Sequence, residues 1–344
     1  MNSLFFELLQ VALGTREKLS RVPNAREWQA LYDEAERQAV VGVLLGGLER
    51  LPNEQLPPLD LKLQWIGETQ MMEAEYRQHC KRVVELSSRF RAVGFKSCIL
   101  KGVTIARYYP MPKRRQCGDI DLWTFGRRKD VMKWLRSQYE IGHNVWHNVG
   151  VEIFEDVPVE IHFHPAWLYQ PIHNKKLQRF FEEHKTQSME SHEGLKGFCC
   201  PSALFDAVFS LVHSYRHLLT AGIGLRHVVD YYYILKALKH EDRMVVNGFI
   251  RQLGIIRFAG AMMWVLNEVC SMPKEYLLCE PDETEGRFFL KEMMAGGNFG
   301  QSRSDNLGYN RLGRYIMMLR HYPSEVLWMV PWKCWHLCWR LLNT

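Results

Sequence analysis

Apolar residues recur at helical spacing through the first fifty positions, as Leu4, Leu8, Leu9 and Ala12 and again as Trp28, Leu31 and Tyr32. That period predicts helices. The segment Leu51–Asp60 carries Pro52, Pro57 and Pro58 and reads as a loop. A long helix is predicted over 61–92, where Leu63, Ile66, Met72, Tyr76, Val83, Leu86 and Phe90 keep close to a 3.6-residue period and Gly94 stands as its stop. The texture then changes. Lys96–Leu100 is a short apolar run that reads as a buried strand, and Val103–Tyr109 as one or two helical turns closed by Pro110 and Pro112. Residues 119–124 alternate polar and apolar like a half-buried strand, Arg128–Tyr139 reads as a helix, and 143–147, 151–155 and 158–163 are three further strands. Turns are expected at Asn148-Val149-Gly150 and Asp156-Val157-Pro158. Beyond residue 200 the helical period returns: Leu204, Val208, Leu211, Val212, Leu218 and Leu219 form one stripe, and helices are predicted over Tyr231–Leu238, Val245–Leu266 and the tryptophan-rich Val326–Leu342. The predicted fold is α+β, with a helical region over 1–92, an α/β core over 93–198 bearing a small mixed sheet, and a helical region over 199–344.

Composition narrows the class. In 344 residues, 47% are hydrophobic and 24% charged, which excludes a disordered, collagen-like or disulfide-scaffold chain. The net charge of +6 suits a phosphate-bearing ligand but is too small and too scattered to argue for nucleic acid. The nine cysteines include no C-x-x-C, so free thiols in a reducing cytosol are expected. The N-terminus lacks a basic region ahead of its apolar residues, and no uncharged apolar run reaches about 18 residues. A cytoplasmic protein without a transmembrane helix is the expectation.

The chemistry concentrates in Gly118-Asp119-Ile120-Asp121-Leu122. Residues two apart on a strand share a face, so Asp119 and Asp121 point together while Ile120 and Leu122 enter the core. Two adjacent carboxylates repel each other, and a divalent cation relieves that repulsion; hard oxygen donors suit Mg²⁺. Val159-Glu160-Ile161-His162-Phe163-His164 alternates in the same way, placing Glu160, His162 and His164 on one face. If this strand lies beside 119–124, Glu160 joins the aspartates, and three such carboxylates can hold two metal ions for an in-line phosphoryl displacement. Leu100-Lys101-Gly102 leaves a strand for a helix, where backbone N–H groups and a lysine can meet phosphate oxygens. Lys113, Arg114 and Arg115 precede the acidic pair, either as a phosphate-facing cluster or as a solvated basic loop.

Together these segments resemble the DNA polymerase β-type nucleotidyltransferase superfamily: a strand, a glycine-containing turn into a helix, an alternating Asp-x-Asp strand, and a later strand with a third acid. More narrowly the chain is similar to a largely uncharacterised bacterial nucleotidyltransferase family, through Leu100-Lys101-Gly102, Tyr109-Pro110, Arg115, Gly118-Asp119-Ile120-Asp121-Leu122, Glu160-Ile161-His162, and His213, His217, Gly224, Arg226 and Asp230. The resemblance implies a nucleotidyltransferase core that moves an NMP group from an NTP to an acceptor hydroxyl and releases pyrophosphate. Asp119, Asp121 and Glu160 would be the catalytic and metal-binding carboxylates for two Mg²⁺ or Mn²⁺ ions. Lys101, Gly102, Arg115, Gly118, His162 and Arg226 would contact the nucleotide. Two departures stand out: Lys101-Gly102 replaces the usual Gly-Ser turn, and the stretch from Gly102 to Asp119 is longer than usual.

The helical C-terminal region offers more polar groups. Asp206, Ser210, His213 and His217 fall on one helix face, as a solvated or hydrogen-bonded stripe or as a histidine metal pair. Arg226 could bind the triphosphate or pair with Asp230 one turn later. Trp328, Trp332, Trp335 and Trp339 share a face, which suits a helix packed on the domain or on a partner or second copy, or an interfacial membrane helix. A catalytically silent nucleotide-binding regulator, an enzyme adding nucleotides to RNA ends and a metal-binding interaction protein remain the alternatives. The RNA reading would want a basic groove with interleaved aromatics, which the chain does not display.

Overall fold

The computed structural model describes residues 3–189, 196–298 and 311–343. It opens with helices α1 (Ser3–Leu13), α2 (Ala25–Arg37), α3 (Val41–Leu48) and the long α4 (Leu59–Ala92). Asn24 starts α2 through a reciprocal capping box with Glu27. The α/β segment follows as β1 (Ser97–Leu100), α5 (Val103–Ala106), β2 (Ile120–Thr124), α6 (Arg128–Gln138), β3 (Glu140–Asn144), β4 (Asn148–Glu152) and β5 (Val159–His162). Then come α7 (Pro171–Glu183), α8 (Ala203–Leu219), α9 (Leu225–Ala237), α10 (His240–Gln252), α11 (Ile256–Cys270), α12 (Glu283–Gly296), α13 (Arg311–His321) and α14 (Pro323–Asn343). The fold is α+β: one five-stranded mixed sheet, ordered β1-β2-β5-β4-β3, carried among helices.

Only the β2–β5 contact is parallel; β1–β2, β5–β4 and β4–β3 are antiparallel. Both faces of the sheet are covered. Ile120, Leu122 and Ile161 pack with Val83, Leu86 and Phe90 of α4 and Val131 and Leu135 of α6. On the opposite face Trp123 stacks on Phe205 of α8 at 5.7 Å between ring centroids. Strand β2 is therefore buried along its whole length rather than on one face as its alternation predicts, because helices from beyond residue 200 cover the polar side as well.

The helical regions at the two ends of the chain share one apolar core. Gln10 Nε2 donates to the Val269 carbonyl at 3.1 Å and Thr15 Oγ1 to that of Cys270 at 3.0 Å, tying the end of α1 to the end of α11.

Several elements differ from expectation, among them α9, which begins at Leu225 rather than Tyr231. The hairpin strands β3 and β4 lie nearer the N-terminus than 143–147 and 151–155, and the predicted turn Asn148-Val149-Gly150 is the start of β4. Arg128 explains the shift: it donates to Asn144 Oδ1 at 2.6 Å and to the carbonyls of Val145 and Trp146 at 3.0 Å, closing the turn three residues earlier. The single helix expected over Val245–Leu266 is two, α10 and α11. Gly254 separates them at φ +67°, and a Cβ there would lie 2.3 Å from His173 Cε1. Among the described residues no helix is long and apolar enough to cross a membrane. The expected tryptophan helix is α14; Trp332 stacks on Trp167 at 3.8 Å and Trp335 meets Trp146 edge-on, so part of this face packs on the domain while Trp328 and Trp335 remain 42% and 46% exposed.

Candidate functional site

Parallel pairing of β2 with β5 sets Asp121 directly opposite Glu160. The register follows from the core: Ile120, Leu122, Val159 and Ile161 must all face α4, so the residues between them turn together to the other side. Asp119 precedes β2 at the strand mouth. His79 of α4 fixes the approach through a 2.6 Å hydrogen bond between its Nε2 and the Gly118 carbonyl. Lys101 follows β1, which lies antiparallel beside β2, with Leu100 opposite Asp121. Its Nζ is 3.2 Å from Asp119 Oδ1 and 2.8 Å from Asp121 Oδ2. Lys101 and Gly102 both hold positive φ, and Gly102 at φ 57°, ψ −122° occupies a region open essentially to glycine. Helix α5 beyond it is four residues long, so the positive charge at this turn is chiefly the lysine's own.

His162 Nε2 donates to Asp121 Oδ1 at 2.7 Å and lies 3.3 Å from Glu160 Oε2. Asn148, the first residue of β4, donates to Glu160 Oε2. Burial pushes the Asp119 carboxyl upward, but the Lys101 ammonium more than offsets this and holds it below the usual aspartate range. Burial likewise raises Glu160, and the His162 hydrogen bond and charge bring it below the ordinary value. Both are ionised at neutral pH. Asp121 is 1% exposed, and its Oδ2 is met by the Lys101 ammonium at 2.8 Å. One donor atom each from Asp121, Glu160 and His162 lie within 4.8 Å of one another. Two carboxylates and an imidazole converging at this distance are a donor set that fits a divalent cation, which would take the place of the Lys101 ammonium against Asp121.

Helices α8 and α9 form the facing wall. A cavity of about 400 Å³ is lined by Lys101, Asp119, Asp121, Glu160 and His162 on one side and by His213, Arg216 and His217 on the other. A smaller recess continues along Gly102, Arg115, Gly118, Arg226 and His227. All the residues singled out for the site thus border one continuous cleft. Their engagements differ. Arg115 is buried and donates from Nε and Nη2 to Asp230 at 2.7 Å each, while Tyr109 donates to the same carboxylate at 2.6 Å. Arg226 donates to the Gln116 carbonyl at 3.1 Å; burial and the nearby Arg115 guanidinium pull its pKa down. The basic loop is clasped rather than free in solvent: Lys113 pairs with Glu73, and Arg114 with Glu49 and Glu73.

Asn148, His147, Arg216 and His227 escaped the sequence reading. The hairpin register concealed the first two. Arg216 and His227 carried a faint signal, one beside the His213/His217 stripe and one beside Arg226. The polar stripe of α8 is not solvated: Asp206 is fully buried and bonded to Arg107 and Tyr108, and His213 and His217 face the cleft.

A mixed sheet with a buried Asp facing a half-buried Glu on adjacent parallel strands, a lysine across them and a helical wall opposite defines a nucleotidyltransferase-like core. The chain belongs to the uncharacterised nucleotidyltransferase family, whose model matches residues 24–271. That match takes in every residue named above for the cleft. No curated protein matches the chain. Among solved structures, it is similar to an antigenic nucleotidyltransferase-like protein from Paracoccidioides brasiliensis, at 10% identity and a TM-score of 0.31, over 56% of this chain and 92% of that one. Nucleotidyl transfer is the general activity that the family supports.

Proposed function

We propose that the chain transfers an NMP group from an NTP to an acceptor hydroxyl, on a small molecule or a protein, in a reaction dependent on two Mg²⁺ or Mn²⁺ ions. The observation that carries this reading is Asp121 opposite Glu160 on parallel strands, with Asp119 and Lys101 at their open end. Asp119, Asp121 and Glu160 would hold the ions, which when bound supply Lewis-acid stabilisation to the attacking and leaving oxygens.

The chain's own groups have separate tasks. His162 fixes the Asp121 carboxylate through their hydrogen bond and Asn148 fixes Glu160. The acceptor oxygen forms a bond to the α-phosphorus as the bond from that phosphorus to the bridging oxygen breaks. Pyrophosphate departs with the electron pair, and Glu160, ionised at neutral pH, takes the hydroxyl proton. Lys101 and Arg226 border the cleft and offset triphosphate charge. Arg115 adds charge from within its pair with Asp230 and keeps the Gly118 approach rigid. Gly102 and Gly118 let the backbone come close to phosphate.

The test is incubation with each α-labelled NTP, Mg²⁺ or Mn²⁺ and a cell extract fractionated into protein, RNA and small molecules. Label in the small-molecule or protein fraction, with stoichiometric pyrophosphate, is expected, and Asp121→Asn should abolish it. Label confined to RNA ends overturns the proposed acceptor. Absence of label with every NTP, alongside nucleotide binding by calorimetry, overturns the transfer reading in favour of a silent regulator.

A further inference from the structure

A group of polar side chains in the cleft has no part in the chemistry above. His213 and His217 stand one turn apart on α8, and His227 lies in the first turn of α9. The turn between the helices is closed by the Gly222 N–H donating to the His217 carbonyl at 2.7 Å, which brings His227 back against the pair. His213 Nε2 is 3.0 Å from His217 Nε2, and one ring nitrogen from each of the three lies within 4.8 Å of the others.

We propose that His213, His217 and His227 form a second metal site, for a divalent transition ion of the Zn²⁺ type, on the helical wall facing the carboxylates. Three imidazoles with no carboxylate are a poor set for Mg²⁺, which demands oxygen donors, and suit Zn²⁺ and its first-row neighbours. Nitrogens at about 2.0–2.1 Å from a tetrahedral zinc stand about 3.3 Å apart, close to the 3.0 Å between His213 and His217. Only the neutral ring is a ligand, and burial pushes all three histidines below the ordinary imidazole value, His217 to about 3. Desolvation and the nearby Lys101, Arg216 and Arg226 charges keep the rings neutral; those charges also oppose a bound cation, so the three nitrogen bonds must outweigh them, with Asp119 acting on His217 in the favourable sense. Three protein ligands leave a fourth position for water or an oxygen of a bound ligand. His213 borders both the recess and the larger cavity, so that position belongs to the cleft. The site stands independently of nucleotidyl transfer, since it uses none of the residues assigned to that reaction.

The decisive measurement is made on the full chain, stripped with chelator and loaded with one equivalent of Zn²⁺. Zinc-edge absorption spectroscopy should show three imidazole nitrogens in the coordination shell. A shell of one imidazole with carboxylate oxygens would place zinc at Asp121, Glu160 and His162 and overturn the proposal. In parallel, Zn²⁺ affinity is measured by competition with a chromophoric chelator. His213→Gln should weaken it by at least roughly a hundredfold, and the double variant Asp121→Asn/Glu160→Gln should leave it within about threefold. The reverse pattern refutes the site. Circular dichroism and melting curves establish that each variant is folded, and the spectrum of the unsubstituted protein decides if His213→Gln is not.

Discussion

Replacing Lys101 by methionine keeps the length and apolar stem of the side chain and removes the ammonium that lies between Asp119 and Asp121. Its ammonium lies 3.2 Å from one carboxylate and 2.8 Å from the other, with side-chain exposures of 21% for Lys101, 32% for Asp119 and 1% for Asp121. Deleting one member of a fully buried ion pair costs ~3–5 kcal/mol and a surface pair under ~1. This partly open triad should fall at roughly 2–4 kcal/mol. With an unfolding entropy near ~2.1 cal/mol/K per residue, a chain of this length loses roughly 3–6 °C in Tm. The same ammonium competes with a divalent ion for the same oxygens. Lys101→Met should therefore bind Mn²⁺ roughly tenfold more tightly, and millimolar Mn²⁺ should restore much of the lost Tm. Nucleotide affinity moves the other way: losing a charge-assisted phosphate contact of ~1.5–3 kcal/mol raises the NTP dissociation constant roughly ten- to a hundredfold. Calorimetric scans with and without Mn²⁺, and titrations with Mn²⁺ and a non-hydrolysable NTP, read all three effects on one variant. A Tm within 1 °C of the parent, together with unchanged Mn²⁺ affinity, would refute the assignment of Lys101 as the counter-charge of the aspartates.

Glu160→Gln preserves the shape of the β5 face and the Asn148 contact while removing one charge; NTP binding by calorimetry should stay within about threefold and pyrophosphate release should fall by at least roughly 10²-fold. Turnover retained in that variant would direct attention to another base. Asp230→Asn removes the negative charge and one of the two oxygens that the buried Arg115 grips, leaving one oxygen to accept from Tyr109. It should cost about 3–5 kcal/mol, seen as a lower midpoint in denaturant, whereas an unchanged midpoint would show that the pair is not a structural clamp. Gly254→Ala puts a Cβ against His173 at a positive φ, and a destabilisation of about 1–3 kcal/mol by the same measurement is expected.

The residues 119–124 and 158–163 were legible because a strand's two-residue period separates faces without reference to anything distant: Asp119, Asp121, Glu160 and His162 had to leave the core if Ile120, Leu122 and Ile161 were to enter it. The long helix α4 was legible for the same local reason, with its period of 3.6 and Gly94 as its stop. Local pattern could not set the β3–β4 register, since β3 is an edge strand with no buried residue to mark a core face, and Arg128 from the preceding helix decides it. Nor could it show that the polar face of β2 is buried, because that depends on Phe205 arriving more than eighty positions later to stack on Trp123. The partner of Asp230 is a further case: one-turn spacing offered Arg226, but the loop before β2 delivers Arg115 to it. The same holds for His227, a single histidine in sequence that becomes the third of a trio only when the turn after α8 folds back. The sequence by itself determined which side chains face the cleft from the sheet, because strand geometry is local; the tertiary structure alone decided what meets them there, because the facing wall is built from helices whose positions depend on long-range packing.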